Sequence, residues 1–340
     1  MAVSPLEVAE GFRWILGREP ESEYTIEAHT KVSDLRALQI ALIRSDEFRQ
    51  RYIHLRCPSP ARDLHLDDLR IVFIHIPKCG GTTVRQILSS HFAPDLVCPE
   101  RFNRLHDWTM GDLAPFRFFC GHFDYESCRA IPGANTKLVT MLRDPKDRLM
   151  SLYFFLKAHR HEVAWAENLE LALLARQLAP EAFFCHPSVV GHPYVCNTIV
   201  RTFSSPLPQG RWEMTFTDPS DVDPPPSRQN EMVEQAWRVL KDFASFGILE
   251  DFDASLRVIS HQLGLKLMPV PPQVVLTEVI HSSPRLEPVV PSPVSAELDA
   301  LLDKPTALDQ ILYRRAAALF RLRVEELRLA YPDSRAGEPS

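Results

Sequence analysis

The run IVFIHIPKCGGTTVRQIL, Ile71 to Leu88, decides the fold. Five of its first six residues are apolar, which suits a strand buried on both faces. A turn follows, with Pro77, Lys78, Gly80, Gly81, Thr82 and Thr83, and after it a helical pattern. A strand that feeds a tight turn and a helix start gathers backbone N–H groups and the positive end of the helix at one point. Gly80 and Gly81 let the backbone approach an anion closely. Thr82 and Thr83 add hydroxyls, Lys78 adds a full charge, and the stretch is read as an anion grip.

Working outward, short apolar strands are expected at Ile71–Ile76, Phe116–Cys120, Lys137–Leu142 and Phe246–Leu249. Helices are expected over 82–91, 145–159, 164–178, 229–243, 252–263, 295–303 and 307–330. Strands alternating with helices give an α/β fold with a central parallel sheet flanked by helices, over 70–330. Ahead of it, residues 1–56 read as a small all-helical domain. Ser4-Pro5-Leu6-Glu7 is a capping box, followed by Val8, Phe12, Ile15 and Leu16 on one face and a stop at Gly17. Ser33 is a second cap before Leu35, Leu38 and Leu42, and Ser45-Asp46-Glu47 starts a third helix. Residues 57–69 read as a linker, 204–228 as a Pro-rich loop, and 331–340 as a disordered tail. The module holds no convergent reactive groups and is expected to make protein contacts. Its phrases ILGREPESE and LIRSDEF resemble small helical repeats attached to bacterial glycan-modifying enzymes.

Composition narrows the function classes. The chain has 340 residues, 45% hydrophobic and 24% charged, with a net charge of -6. That balance suits a globular protein and speaks against broad nucleic-acid binding, which needs a basic excess. No apolar run reaches the ~18–20 residues of a membrane span. Seven cysteines at irregular spacing read as reduced thiols, and MAVSPLEVAE lacks the blocks of a signal peptide. A cytoplasmic protein is the expectation.

A nucleotide-triphosphatase loop places its lysine after the last glycine, followed by a hydroxyl for magnesium. Here Lys78 precedes the glycines and the loop is shorter. It suits a single phosphate with one adjoining anionic group, without a metal. HIPKCGGTT resembles the 5′-phosphosulfate loop of the sulfotransferases, most of all the Golgi-type heparan sulfate and chondroitin branch of carbohydrate enzymes. Cys79 stands where that family has threonine or serine. The resemblance implies a P-loop-like fold and 3′-phosphoadenosine 5′-phosphosulfate (PAPS) as donor, and a second phosphate grip. KLVTMLRDPKDRLMSLYFF fits it: a strand ends at Arg143, Asp144 caps, Pro145 opens a helix, and Arg148 and Ser151 lie one turn apart. By resemblance the loop residues Lys78, Cys79, Gly80, Gly81, Thr82 and Thr83 hold the 5′ group, and Arg143 and Ser151 hold the 3′-phosphate.

Transfer to a hydroxyl needs a general base, and histidine suits neutral pH. Gly121-His122 ends a strand, where the groups of an open sheet gather. The family carries its base in a Gly-His between the two phosphate motifs. His122 is the assigned base, with Lys78 stabilising the leaving group. His75 is the rival, though its place among apolar neighbours favours a structural role; His106 is another. Asn197 and Arg201, one turn apart, are candidates to meet the acceptor, a glycan or another hydroxyl-bearing molecule. VCNTIVRTF, FGILEDFDASLRVI and LDQILYRRAAALF extend the resemblance to about 70–325. Cys185, His186, His192 and Cys196 fit no metal signature, and Phe154-Phe155 and Phe183-Phe184 read as core. Two alternatives stay open: a nucleotide kinase or other phosphotransferase with an atypical loop, and an inactive nucleotide-binding module.

Overall fold

The computed structural model describes residues 3–16, 18–45, 47, 69–210, 224–265, 283–290 and 293–330. The chain divides into two compact units, Met1–His65 and Leu66–Ser340. The expected linker lies almost wholly outside the described residues, as do the tail, residues 211–223 of the Pro-rich loop, and part of the third N-terminal helix.

In the first unit the capping box forms as spelled. Glu7 N–H donates to Ser4 Oγ at 3.3 Å and Ser4 N–H to Glu7 Oε2 at 2.8 Å, opening the helix Pro5–Gly11. The chain continues as a π turn, Phe12–Leu16. Val8, Phe12 and Leu16 are buried with Leu38 and Leu42. The helix Leu35–Arg44 is capped one residue later than expected, by Asp34, whose carboxylate accepts from Ala37 N at 2.8 Å. The helix Glu23–Thr30 was not expected, because none of its residues is buried and no apolar face betrays it.

The second unit is built on four parallel strands: β1 Arg70–Ile74, β2 Phe118–Gly121, β3 Thr136–Leu142 and β4 Ser245–Ile248. Their order is β2-β1-β3-β4. Phe73 lies opposite Cys120 on one side and Val139 on the other. Ile71 through Ile74 are fully buried, the condition under which an unbroken apolar run makes a central strand. The order creates a crevice. The chain leaves β1 toward β2 and leaves β3 toward β4, in opposite directions. Open α/β sheets bind ligands at such a switch point, outside the carboxyl ends of the strands.

Two helical expectations are corrected. The helix expected over 164–178 is two, His161–Ala166 and Glu170–Gln177. Asn168 sits between them at φ 53°, the left-handed conformation that stops helices. Conversely, Ala296–Ala330 is one helix that runs through Pro305. Asn197 is spliced into its ladder there. Asn197 N–H donates to the Pro305 carbonyl at 2.7 Å, and its Oδ1 accepts from Leu308 N at 2.9 Å. Short helices at Met110–Leu113, Tyr125–Cys128, Pro180–Phe184 and Pro187–Val190 were not anticipated, and the turn expected at Asn197 and Arg201 is the helix Thr198–Ser204. Among the described residues, no helix is long and apolar enough to cross a membrane.

Candidate active site

The turn after β1 delivers Lys78 with φ 70° and Gly80 with φ 73°. Gly80 is the N-cap of the helix Gly81–Ser89 and offers it no side-chain acceptor, so the first amides of that helix have no carbonyl one turn back to bond. Both glycines are required by close approach. A Cβ on Gly80 would lie 2.5 Å from Leu249 Cδ1, and one on Gly81 would run into the His75 imidazole. Thr82 is exposed and Thr83 buried. Cys79 turns inward: its thiol is buried, its N–H donates to the Ile76 carbonyl at 3.3 Å, and burial pushes its pKa up to about 12. Its amide is thus already engaged in the turn.

The second motif arrives beside the first. Arg143, just past β3, donates from Nη1 to the Lys78 carbonyl at 3.3 Å. Asp144 caps the helix Pro145–Lys157, accepting from Lys146 N and Asp147 N at 2.9 and 3.2 Å. Ser151 and Phe155 are one turn apart on this helix and share a face. The Phe155 ring lies under the Lys78 ammonium, 4.1 Å from centroid to Nζ, a cation–π contact. Phe155, read from sequence as core, packs against the core and also joins the two motifs. Arg148 points the other way. It is fully buried and donates to the Tyr194 and Val195 carbonyls and to Thr198 Oγ1.

β2 supplies the histidine. His122 is half-buried, its Nδ1 2.7 Å from the His75 carbonyl oxygen. A carbonyl only accepts, so Nδ1 carries the proton and the lone pair lies on Nε2. Burial, and then the charges of Arg101 and Lys78, push the pKa of His122 down to about 4 against the pull of that carbonyl. It is neutral at pH 7. His75 lies beyond the end of β1 and not within it. Its ring stands 4.6 Å from that of His122, tilted by 35°, and stacks on Phe73 at 5.8 Å. Burial and the surrounding cations push its pKa well down. His106 contacts Gln209 and Asp107.

Asn197 and Arg201 are engaged in backbone bonds. Both are buried, Asn197 in the ladder around Pro305 and Arg201 with its Nε on the Cys196 carbonyl at 3.0 Å. Asn197 thereby ties its own segment to the long helix. The two histidines of the cysteine–histidine cluster accept from backbone amides, His186 from Ser188 N and His192 from Tyr194 N. Among the described residues no group of three or more His, Cys, Asp or Glu is placed to hold a metal ion.

Lys78, Arg85, Arg101 and Arg143 thus surround the crevice beside two neutral imidazoles. The arrangement is chemically suited to a ligand with several negative charges. Sequence reasoning missed Arg101, which lies in an irregular segment twenty-one residues before His122 and whose signal exists only through backbone pairing.

No family model matches the chain. A protein-tyrosine sulfotransferase from Arabidopsis thaliana is 30% identical over 91 residues, 26% of this chain and 18% of that relative. The chain therefore spans less than a fifth of that relative's length. The similarity ties the chain to a sulfotransferase in general and not to the carbohydrate branch in particular.

Proposed function

We propose that this chain is a sulfotransferase that moves a sulfuryl group from PAPS to an acceptor hydroxyl. The observation that supports this reading is that the turn after β1 and Arg143 after β3 meet at the β1–β3 crevice, with a neutral histidine at the end of β2. PAPS, when bound, supplies the sulfuryl group and a stable bisphosphate leaving group. The backbone of Gly80–Thr83 and Lys78 hold its 5′ end, and Arg143 and Ser151 its 3′-phosphate. His122 Nε2 takes the acceptor's proton while Nδ1–H stays on the His75 carbonyl, so the imidazolium is formed already oriented. The acceptor oxygen bonds to sulfur, the bond from sulfur to the 5′-phosphate oxygen breaks, and that oxygen keeps the electron pair. Lys78 offsets the charge that develops there, an electrostatic contribution of the kind that dominates many enzymes. The cations suffice to neutralise the phosphates, so a divalent metal is not needed in this scheme.

The sequence resemblance favours a saccharide hydroxyl as acceptor. The Arabidopsis relative, named as a protein-tyrosine sulfotransferase, favours a second reading in which a tyrosine phenol takes its place. The N-terminal unit is proposed to bind protein, and the protein to act in the cytoplasm. The test is calorimetric titration with adenosine 3′,5′-bisphosphate (PAP) in excess EDTA, followed by mass spectrometry of saccharides and tyrosine peptides incubated with PAPS. Binding that survives chelation, with mass gained by one acceptor class, is expected. Binding lost in chelator would refute the metal-free scheme. PAP binding without transfer to any acceptor would favour the inactive module, and magnesium-dependent transfer from ATP the phosphotransferase.

A further inference from the structure

We infer that Arg101 is the residue that grips the sulfuryl oxygens during transfer, a role no sequence motif assigns to it; the inference rests on the sulfotransferase reading above. Arg101 is fixed to the base by the backbone: His122 N–H donates to the Arg101 carbonyl at 2.9 Å. Gly121 permits the approach, since a Cβ there would lie 2.9 Å from Arg101 Cα. The Arg101 Nε is sealed from solvent and has no hydrogen-bond partner among the described residues.

The carboxylates nearest in the chain are committed elsewhere. Glu100 accepts from the amides of Phe102 and Arg104. Asp124 is buried and accepts from Asn103 Nδ2 at 2.9 Å, Leu207 N at 2.7 Å and Ser127 N at 2.6 Å. Burial pushes the Arg101 pKa down, and the neighbouring cation Arg85 pushes the same way. A half-buried guanidinium with an unsatisfied nitrogen and, among the described residues, no carboxylate partner is costly unless an anion joins it.

The sheet order says which anion. Along the carboxyl edge, His122 follows β2 with the Arg101 segment bonded to it, His75 and Lys78 follow β1, and Arg143 follows β3. The 3′-phosphate grip is at the β3 side and the 5′ loop is in the middle. The anionic group that extends from the loop toward the base is the one in transit, and Arg101 stands on that side. A planar fork of donors suits the equatorial oxygens of a sulfuryl group, which share its negative charge as one S–O bond forms and the other breaks.

Three ligands separate this role from others: PAPS, PAP, which lacks the sulfuryl group, and adenosine 5′-phosphosulfate, which lacks the 3′-phosphate. Affinities are measured by titration calorimetry, with folding checked by circular dichroism. Arg101→Gln is expected to weaken the two sulfuryl-bearing ligands by about ten- to a hundredfold and to leave PAP within about threefold. Arg143→Ala should give the opposite pattern, weakening PAPS and PAP but not adenosine 5′-phosphosulfate. Should Arg101→Gln fail to fold, Arg101→Lys, which keeps the charge but loses the fork, is expected to weaken the same two ligands by a smaller factor. Equal weakening of all three ligands in a folded Arg101 variant, or no change in any, overturns the assignment while leaving the sulfotransferase reading intact. A wild-type protein that binds none of the three removes both.

Discussion

The close packing of Gly81 against His75 allows a sharp test by double-mutant cycle. A Cβ on Gly81 would meet three ring atoms of His75. The farthest of them, Cγ, is only 2.6 Å away, where ordinary contact begins at 3.4 Å. The ring has little room to yield, because Phe73 and His122 flank it. Overpacking of this kind costs about 1–3 kcal/mol. Against it stands the entropy that Gly→Ala removes from the unfolded chain, about 0.4–1 kcal/mol where the backbone tolerates alanine. Gly81 is not among the residues at positive φ, so that gain applies here. Gly81→Ala alone should therefore destabilise by about 1–2 kcal/mol. In a His75→Ala background the obstruction is gone, and the same change should be neutral or stabilising by about 0.5 kcal/mol. The four proteins are compared by urea unfolding with a shared slope, and the coupling is read from the differences. Equal cost of Gly81→Ala in both backgrounds would refute the placement of the imidazole against the loop.

Two further outcomes follow from buried groups. Asp309 is buried and accepts from Ile199 N at 3.1 Å and Val200 N at 2.8 Å; Asp309→Ala should cost about 2–4 kcal/mol by orphaning both amides, Asp309→Asn less than half of that, and a loss under about 0.5 kcal/mol by thermal or urea unfolding would contradict the bonding. Because burial raises the Asp309 pKa to about 6, its stabilising contribution is present at low pH and declines as pH rises through that value. Cys79 is buried with its thiol pKa near about 12, whereas Cys185 is exposed; iodoacetamide at pH 8 should label Cys185 first and leave Cys79 untouched in the native protein, as peptide mass spectrometry would show.

Much of the scaffold was legible because its signals are local. Ile71–Ile74 is an apolar run and Val139–Leu142 an apolar stretch broken only by Thr140, and the observed strands lie within a few residues of those expected. Asp144-Pro145 announced a helix start in two residues, and the capping box Ser4–Glu7 did the same in four. What escaped notice was set by partners far along the chain. Pro305 reads as a break until Asn197, more than a hundred residues earlier, replaces the ladder bonds around it. Phe155 reads as core until the loop after β1 brings Lys78 over its ring. Arg101 reads as one basic residue among thirty-eight until β2 aligns it with His122. Asn197 and Arg201 carry no local sign that both side chains are buried, since that too is set by the fold around them.

The base itself yields the last prediction, through its protons. In the free protein Arg101 and Lys78 act on His122 and, with burial, hold it near pKa about 4. A bound bisphosphate brings negative charge to the same crevice and opposes both cations, so the pKa of His122 must rise on binding. Between the two values the complex holds a proton that the free protein lacks, and binding near pH 5 is linked to proton uptake at this site. At pH 8 both states are neutral at His122 and the uptake vanishes. The ligand's own phosphates and His75 also exchange protons, so the quantity to read is a difference. PAP binding is measured by calorimetry in buffers of contrasting ionisation enthalpy, for wild type and for His122→Gln. Wild type should take up more protons than the variant near pH 5 and the same number at pH 8. His122→Gln should also lose about 10²–10⁴-fold in transfer rate while keeping PAP affinity, as expected when a general base is removed. Equal proton uptake by the two proteins at pH 5 would mean that the bound anions do not act on His122. A variant that keeps its rate would return the role of base to His75, whose ring is the nearer imidazole to Gly81.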